Sequence, residues 1–172
     1  VNFVSKTDNG WLGKNTDWLG FSKAINSRKK NLIKKVAIVI GYGGASKAII
    51  YALKKENFEE IKIFNRTEEK IYHLQNEKGV SPTSLEHLKD CLSEADLVVN
   101  TTPINSLKSL LIQKEINKTL AFDIVYSPQE TGFLSNFARE SRIYGISMLV
   151  YQAAPCFEEW FGKLLEKRPA KF

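Results

Sequence analysis

A β-branched apolar run from Lys34 to Gly41 (KKVAIVIG) leads directly into Tyr42-Gly43-Gly44 and then into a stretch with helical spacing. Such a run is long enough to cross a sheet and too short for a buried helix. The same kind of run recurs at 60–66 (EIKIFNR), 95–102 (ADLVVNTT) and 119–126 (TLAFDIVY). Helical patterns separate them. GASKAIIYALKKEN (44–57) sets Ala48, Ile49, Ala52 and Leu53 on one face, and RTEEKIYHLQNEKG (66–79) has Thr67 and Gly79 as cap residues. Strand alternating with helix calls for a parallel sheet with right-handed crossovers, that is, a doubly wound α/β fold with helices on both faces.

Two further helices are expected, at 17–26 and 130–142, and a long amphipathic segment closes the chain at 148–167. Pro155 falls inside that segment, which is therefore read as one kinked helix or as two.

Composition narrows the function classes. The chain has 172 residues, 43% of them hydrophobic and 26% charged, as in a globular domain. No apolar run reaches the length of about 20 residues that a membrane span requires. Cys91, Cys156, His73 and His87 show no metal-ligand spacing, so no metal is expected, and the sparse cysteines point to a cytoplasmic protein. The net charge of +6 is densest at SRKKNLIKK (27–35). No aromatic-interleaved patch accompanies it, so it reads as a solvated loop and no nucleic-acid partner is expected. Met148 is the sole methionine and the chain opens on VNFV, which reads as the inside of a strand. The chain is therefore expected to be part of a longer one.

Gly41-Tyr42-Gly43-Gly44-Ala45-Ser46 keeps the first two glycines of G-x-G-x-x-G, with Ser46 in the third place. Gly41 allows the tight turn and Gly43 the approach of a pyrophosphate. Gly44 and Ala45 leave the helix N-terminus open to an anion. The alternative is a glycine turn without a ligand. The second strand bears on the choice of dinucleotide. Enzymes that use NAD place an acid there to hold the ribose 2′-hydroxyl, whereas this chain has Asn65-Arg66-Thr67, with Lys70 one turn on. Arg66 can grip a 2′-phosphate with its planar fork, which favours NADP.

Polar clusters stand at other element ends. Asn15, Thr16 and Asp17 precede a helix, where Asn15 or Asp17 is equally readable as an N-cap. Asn100, Thr101, Thr102 and Pro103 end one strand, and Asp123 and Tyr126 end another, where ligands of open parallel sheets lie. Gln152 interrupts an apolar helical run.

Val1-Asn2, NTDWLGF, GYGGASKA, NRT, NTTP, DIVYSPQET and MLVYQAAPCFEEWFG, in this order, closely resemble the shikimate dehydrogenase family over essentially the whole chain. The resemblance implies NADPH-dependent reduction of 3-dehydroshikimate to shikimate in aromatic amino-acid biosynthesis. It also implies a division into 1–16 as the border of a substrate domain, 17–147 as the NADP-binding domain, and 148–172 as a helical segment returning toward the substrate domain. Asp17 matches the family's active-site aspartate, and Asn2, Tyr126 and Gln152 match substrate-side positions. Gly41, Gly43, Gly44 and Ala45 match the phosphate loop, Asn65, Arg66 and Thr67 the 2′-phosphate loop, and Thr101 a cofactor-side loop.

Some features depart from the family. Its catalytic lysine and carboxylate-binding hydroxyls belong to motifs upstream of Val1, and neither Lys6 nor Lys14 occupies the lysine's motif. The chain is accordingly expected to bind NADPH and to turn over poorly without a substrate domain. Ser147 stands in place of a glycine near the nicotinamide, where it either crowds the ring or points away. Gly132 replaces a proline at a helix start. A non-catalytic NADP-binding module and a quinate-active relative are the alternatives, and monomer and homodimer are both open.

Overall fold

The structure is a computed structural model and describes residues 1–28, 32–103 and 119–162. The strands are β1 (Phe3–Thr7), β2 (Gly10–Lys14), β3 (Val36–Ile40), β4 (Glu60–Phe64), β5 (Val80–Thr83), β6 (Leu97–Asn100), β7 (Leu120–Asp123) and β8 (Arg142–Tyr144). The helices are α1 (Asp17–Arg28), α2 (Gly44–Lys55), α3 (Leu88–Cys91) and α4 (Gly145–Phe161). Strands β3 to β8 form one parallel sheet in the order β5-β4-β3-β6-β7-β8. The order reverses between β3 and β6, so the turn after β3 lies at the topological switch point, where ligands of doubly wound folds bind.

Both faces of the sheet are covered, which explains why its strands read as continuous apolar runs. Successive side chains of a strand point to opposite faces. Ala37, Val39, Leu97, Val99, Leu120 and Phe122 pack with Phe21 and Ile25 of α1 and with Ile49 and Leu53 of α2. Ile38, Ile40, Val98 and Ala121 face the other way, against Leu88, Leu92, Phe133, Leu134 and Phe137. Ala48, Ile49, Ala52 and Leu53 are all buried, as the helical spacing of 44–57 requires.

Two expected α-helices are absent. Within 66–79 the chain makes 3-10 turns at Glu68–Lys70 and Tyr72–Asn76. Only Ile71 and Leu74 of this stretch turn inward, and residues three apart align along a 3-10 turn. The bonds follow the same step, Ile71 N to Glu68 O, Leu74 N to Ile71 O and Glu77 N to Leu74 O. Within 130–142 there are again 3-10 turns, Leu134–Asn136 and Arg139–Ser141, and then β8. The Asn136 amide donates to the Gly132 and Phe133 carbonyls and so competes with a helical ladder. Gly132 therefore serves a turn rather than a helix start.

Helix α4 begins at Gly145, earlier than expected, and continues unbroken through Pro155 to Phe161. Residues 163–167 of the expected segment lie outside the described residues, as do Lys29 and Lys30 of the basic stretch. Lys34, from the same stretch, is paired with Glu56 at 2.7 Å. The opening strand has a partner that the sequence reading did not supply. β1 and β2 form an antiparallel hairpin in which Thr7 faces Gly10 across Asp8-Asn9. Among the described residues no helix is long and apolar enough to cross a membrane.

Candidate active site

The polar residues singled out above gather along the C-terminal edge of the sheet and where the start of α1 meets the middle of α4. The glycine turn follows β3 directly. Gly41 has φ +98, and a Cβ there would lie 2.7 Å from Thr101 Oγ1 and 2.9 Å from Thr102 Cγ2. Only glycine meets both demands. Its N–H donates to the Phe64 carbonyl at 2.7 Å, tying the turn to β4. At Gly43 and Gly44 a Cβ would meet nothing within 4 Å, so space is open before the helix. No side chain caps α2 and no acid stands in its first turn. Its leading N–H groups and positive dipole end are available to an anion. Ser46, in the third-glycine place, is fully buried and donates to the Gly43 carbonyl at 2.7 Å, so its hydroxyl is satisfied within the turn. Tyr42, within the turn, has its hydroxyl 3.2 Å from His73 Nε2.

Asn65, Arg66 and Thr67 follow β4, beside this turn. The Asn65 amide donates to the Thr67 carbonyl at 2.7 Å, which bends the loop back on itself. Arg66 and Lys70 are exposed, and among the described residues neither makes an ion pair. Two exposed cations beside a glycine-lined helix N-terminus suit a ligand with several phosphates.

Beyond the switch point, β6 and β7 end in a cavity of about 410 Å³ lined by Thr101, Thr102, Pro103, Ile124, Val125, Tyr126 and Ser127. Thr101 holds the Ile40 carbonyl with both its N–H, at 2.9 Å, and its hydroxyl, at 2.8 Å. Beneath the cavity lie Asn100 and Asp123, both buried. Asp123 Oδ1 accepts from the Asn100 amide and from the Val125 N–H, each at 3.1 Å, and Oδ2 from the Thr131 hydroxyl at 2.6 Å. Burial pushes the Asp123 carboxyl up from its ordinary value, against the lowering effect of these three bonds. The Ser147 hydroxyl donates back to the Tyr144 carbonyl at 2.7 Å. Of its two readings, the bond to its own helix end favours pointing away.

A second cluster joins the hairpin, α1 and α4. The Asn2 amide donates to Thr16 Oγ1 at 2.9 Å and to Asp17 Oδ1 at 2.8 Å, with Gln152 Oε1 at 3.5 Å. Its carbonyl oxygen accepts the Thr16 N–H at 2.8 Å, which fixes the orientation of the amide. Asn15 Oδ1 accepts the Asp17 N–H at 3.0 Å. Asn15 therefore serves the start of the helix, and the Asp17 carboxylate is left facing Asn2. Among the described residues no lysine or arginine pairs with Asp17, and Lys14 pairs with Glu159 at 2.6 Å instead. Gln152 is half-buried and lines a cavity of about 400 Å³ with Asn2, Thr16, Cys156 and Trp160.

The structure thus brings Asn2, Asp17 and Gln152 together. Tyr126 is 56% exposed and lies in the strand-end cavity, with no hydrogen bond to that trio. Thr16, Cys156 and Trp160 were not read as site residues. Thr16 stood within a flagged polar cluster, and Cys156 and Trp160 within MLVYQAAPCFEEWFG, where no role was read for them; they reach the site through the packing of α4.

Residues 23–126 match the family model described as Shikimate / quinate 5-dehydrogenase. The chain is similar to the shikimate dehydrogenase (NADP(+)) of Bartonella quintana, with 38% identity over 161 residues, 86% of this chain and 55% of that protein. It is 37% identical to the shikimate dehydrogenase (NADP(+)) of Oceanobacillus iheyensis, over 94% of this chain and 62% of the relative. Among solved structures, shikimate 5-dehydrogenase of Thermus thermophilus in complex with NADP(H) and shikimate is similar with a TM-score of 0.74 and 30% identity. That match covers 94% of this chain and 62% of the other. The chain therefore spans between 55% and 62% of the length of these relatives. With residues 23–126, more than half of its length, matching that model, this chain belongs to the shikimate/quinate 5-dehydrogenase family.

Proposed function

We propose that this chain is the NADP-binding part of a shikimate dehydrogenase that interconverts 3-dehydroshikimate and shikimate. The observation that carries the reading is Arg66, exposed and free of any ion pair among the described residues, where an NAD enzyme would present an acid. The residues present fit such a cofactor. The open space at Gly43 and Gly44 admits the pyrophosphate, and the uncapped first turn of α2 offers it N–H donors. Asn65, Arg66, Thr67 and Lys70, after β4, would hold the cofactor's 2′-phosphate. Thr101 and the other residues lining the cavity at the ends of β6 and β7 would hold its nicotinamide half.

When bound, the cofactor supplies a hydride to the substrate carbonyl carbon. Asp17 holds the proton exchanged at the reacting oxygen, and the Asn2 and Asn15 amides orient its carboxylate. Gln152 and Asn2 bind substrate hydroxyls.

The test compares affinities for NADPH and NADH in the wild type and in Arg66→Ala. Loss of a charge-assisted fork on a phosphate lowers NADPH affinity about ten- to a hundredfold, with NADH affinity little changed. Equal affinity of the wild type for both cofactors overturns the assignment.

A further inference from the structure

The cavity at the ends of β6 and β7 has two walls. One is Thr101, Thr102 and Pro103, the other Ile124, Val125 and Tyr126. Both walls hang from the same buried carboxylate. Asp123 Oδ1 holds the second wall directly through the Val125 N–H at 3.1 Å. The same oxygen accepts the Asn100 amide at 3.1 Å, and Asn100 Oδ1 in turn accepts the Thr102 N–H at 3.0 Å and hydroxyl at 2.6 Å. The Asn100 carbonyl adds a bond from the Ile124 N–H at 3.2 Å. The Thr131 hydroxyl donates to Asp123 Oδ2 at 2.6 Å and accepts the Leu134 N–H at 3.2 Å, which anchors the carboxylate to the core below. Neither Asn100 nor Asp123 lines the cavity.

We propose that Asp123 and Asn100 are positioning residues for the nicotinamide half of the cofactor, setting the spacing of the two cavity walls without touching the ring. This rests on the NADP reading above. Two neutral apolar side chains at these sites would pack a strand end equally well. The carboxylate–amide pair, by contrast, dictates which backbone N–H groups point down and so which surfaces point up. The adenosine half, on the β4 side of the switch point, is held by a separate set of residues. Among the described residues no hydrogen bond joins the network to Asn65, Arg66, Thr67 or Lys70, so a change in it is felt chiefly by the nicotinamide half.

The experiment measures binding of NADPH and of 2′,5′-ADP, the adenosine-side fragment, by calorimetry, together with the emission spectrum of bound NADPH. It uses the wild type, Asp123→Asn, Asn100→Asp, and the milder Thr131→Val and Thr131→Ser. Loss of one buried acceptor or donor weakens NADPH about tenfold in Asp123→Asn and Asn100→Asp and shifts the emission of the bound ring. Affinity for 2′,5′-ADP stays within about twofold of the wild type, since its contacts are untouched. Thr131→Val acts in the same direction with a smaller effect, and Thr131→Ser, which keeps the hydroxyl, restores it. Unchanged NADPH binding and emission overturn the proposal. So does a parallel loss of NADPH and 2′,5′-ADP in Thr131→Val, which would make the network a support of the whole fold. A wild type that binds neither ligand overturns the cofactor reading first, and this proposal with it.

Discussion

At the scale of single residues, the chain concentrates its constraints at Gly41 and Asp123. Gly41 combines a positive φ with Thr101 and Thr102 pressed against the space where a side chain would begin. The sequence displays this glycine openly. Asp123 is different, because a lone aspartate at a strand end does not reveal that it will be buried with three hydrogen bonds. Its carboxyl is pushed up by burial. A group whose folded pKa is raised contributes its stability below its unfolded value, about 3.9, and loses that contribution as pH rises through the folded value. Relative to Asp123→Asn, the wild type is therefore expected to gain stability as pH falls from 7 toward 4. Urea midpoints of both proteins at the two pH values check this. A difference that moves the other way would show that the hydrogen bonds outweigh burial.

At the scale of elements, the approach of α1 to α4 brings the Asn2–Asp17–Gln152 cluster together. A Cβ on Gly20 would lie 2.7 Å from the Met148 carbonyl oxygen and 2.9 Å from the Gln152 N and Cβ. An alanine in a helix interior ordinarily gains about 1 kcal/mol over glycine. Here the obstacle is backbone, which cannot turn aside, so Gly20→Ala is expected to cost about 1–3 kcal/mol instead. It should also draw Gln152 away from Asn2. Thermal melts read the first effect; unchanged or raised stability would refute the close-approach argument. The elements themselves were unevenly legible. β3, α2, β4, β6 and β7 follow from buried apolar runs and a clear helical face. The segments 66–79 and 130–142 have the composition of helices but fold mainly as 3-10 turns: in 66–79 only Ile71 and Leu74 face the core, and in 130–142 the Asn136 amide competes for the backbone. The β1–β2 hairpin was signalled only by Asp8-Asn9-Gly10, a turn sequence after the opening VNFV, which alone was read as strand.

At the scale of the whole molecule, the proposed cofactor side and the proposed substrate side of the candidate site are built differently. The proposed cofactor side has a glycine cradle, an uncapped helix start, two cations without an ion pair among the described residues, and a strand-end cavity. The substrate side has Asp17 without a cationic partner among the described residues, in a chain that spans 55% to 62% of its relatives. The 172 residues by themselves are expected to bind NADPH yet reduce dehydroshikimate far more slowly than about 1 s⁻¹, the low end of ordinary turnover. A steady-state assay beside a binding titration tests this, and turnover at or above that rate refutes it. The sequence by itself determined the doubly wound sheet and the place of the glycine turn, because both depend on local properties: apolar periodicity and the conformational freedom of glycine. It also marked Asn2, Asp17 and Gln152, through resemblance. Only the tertiary structure decided that Asn15 serves the helix start so that Asp17 can face Asn2, and that one buried carboxylate holds both walls of a cavity. Those arrangements join residues far apart in the chain, and their hydrogen-bond partners are set by packing rather than by spacing along the sequence.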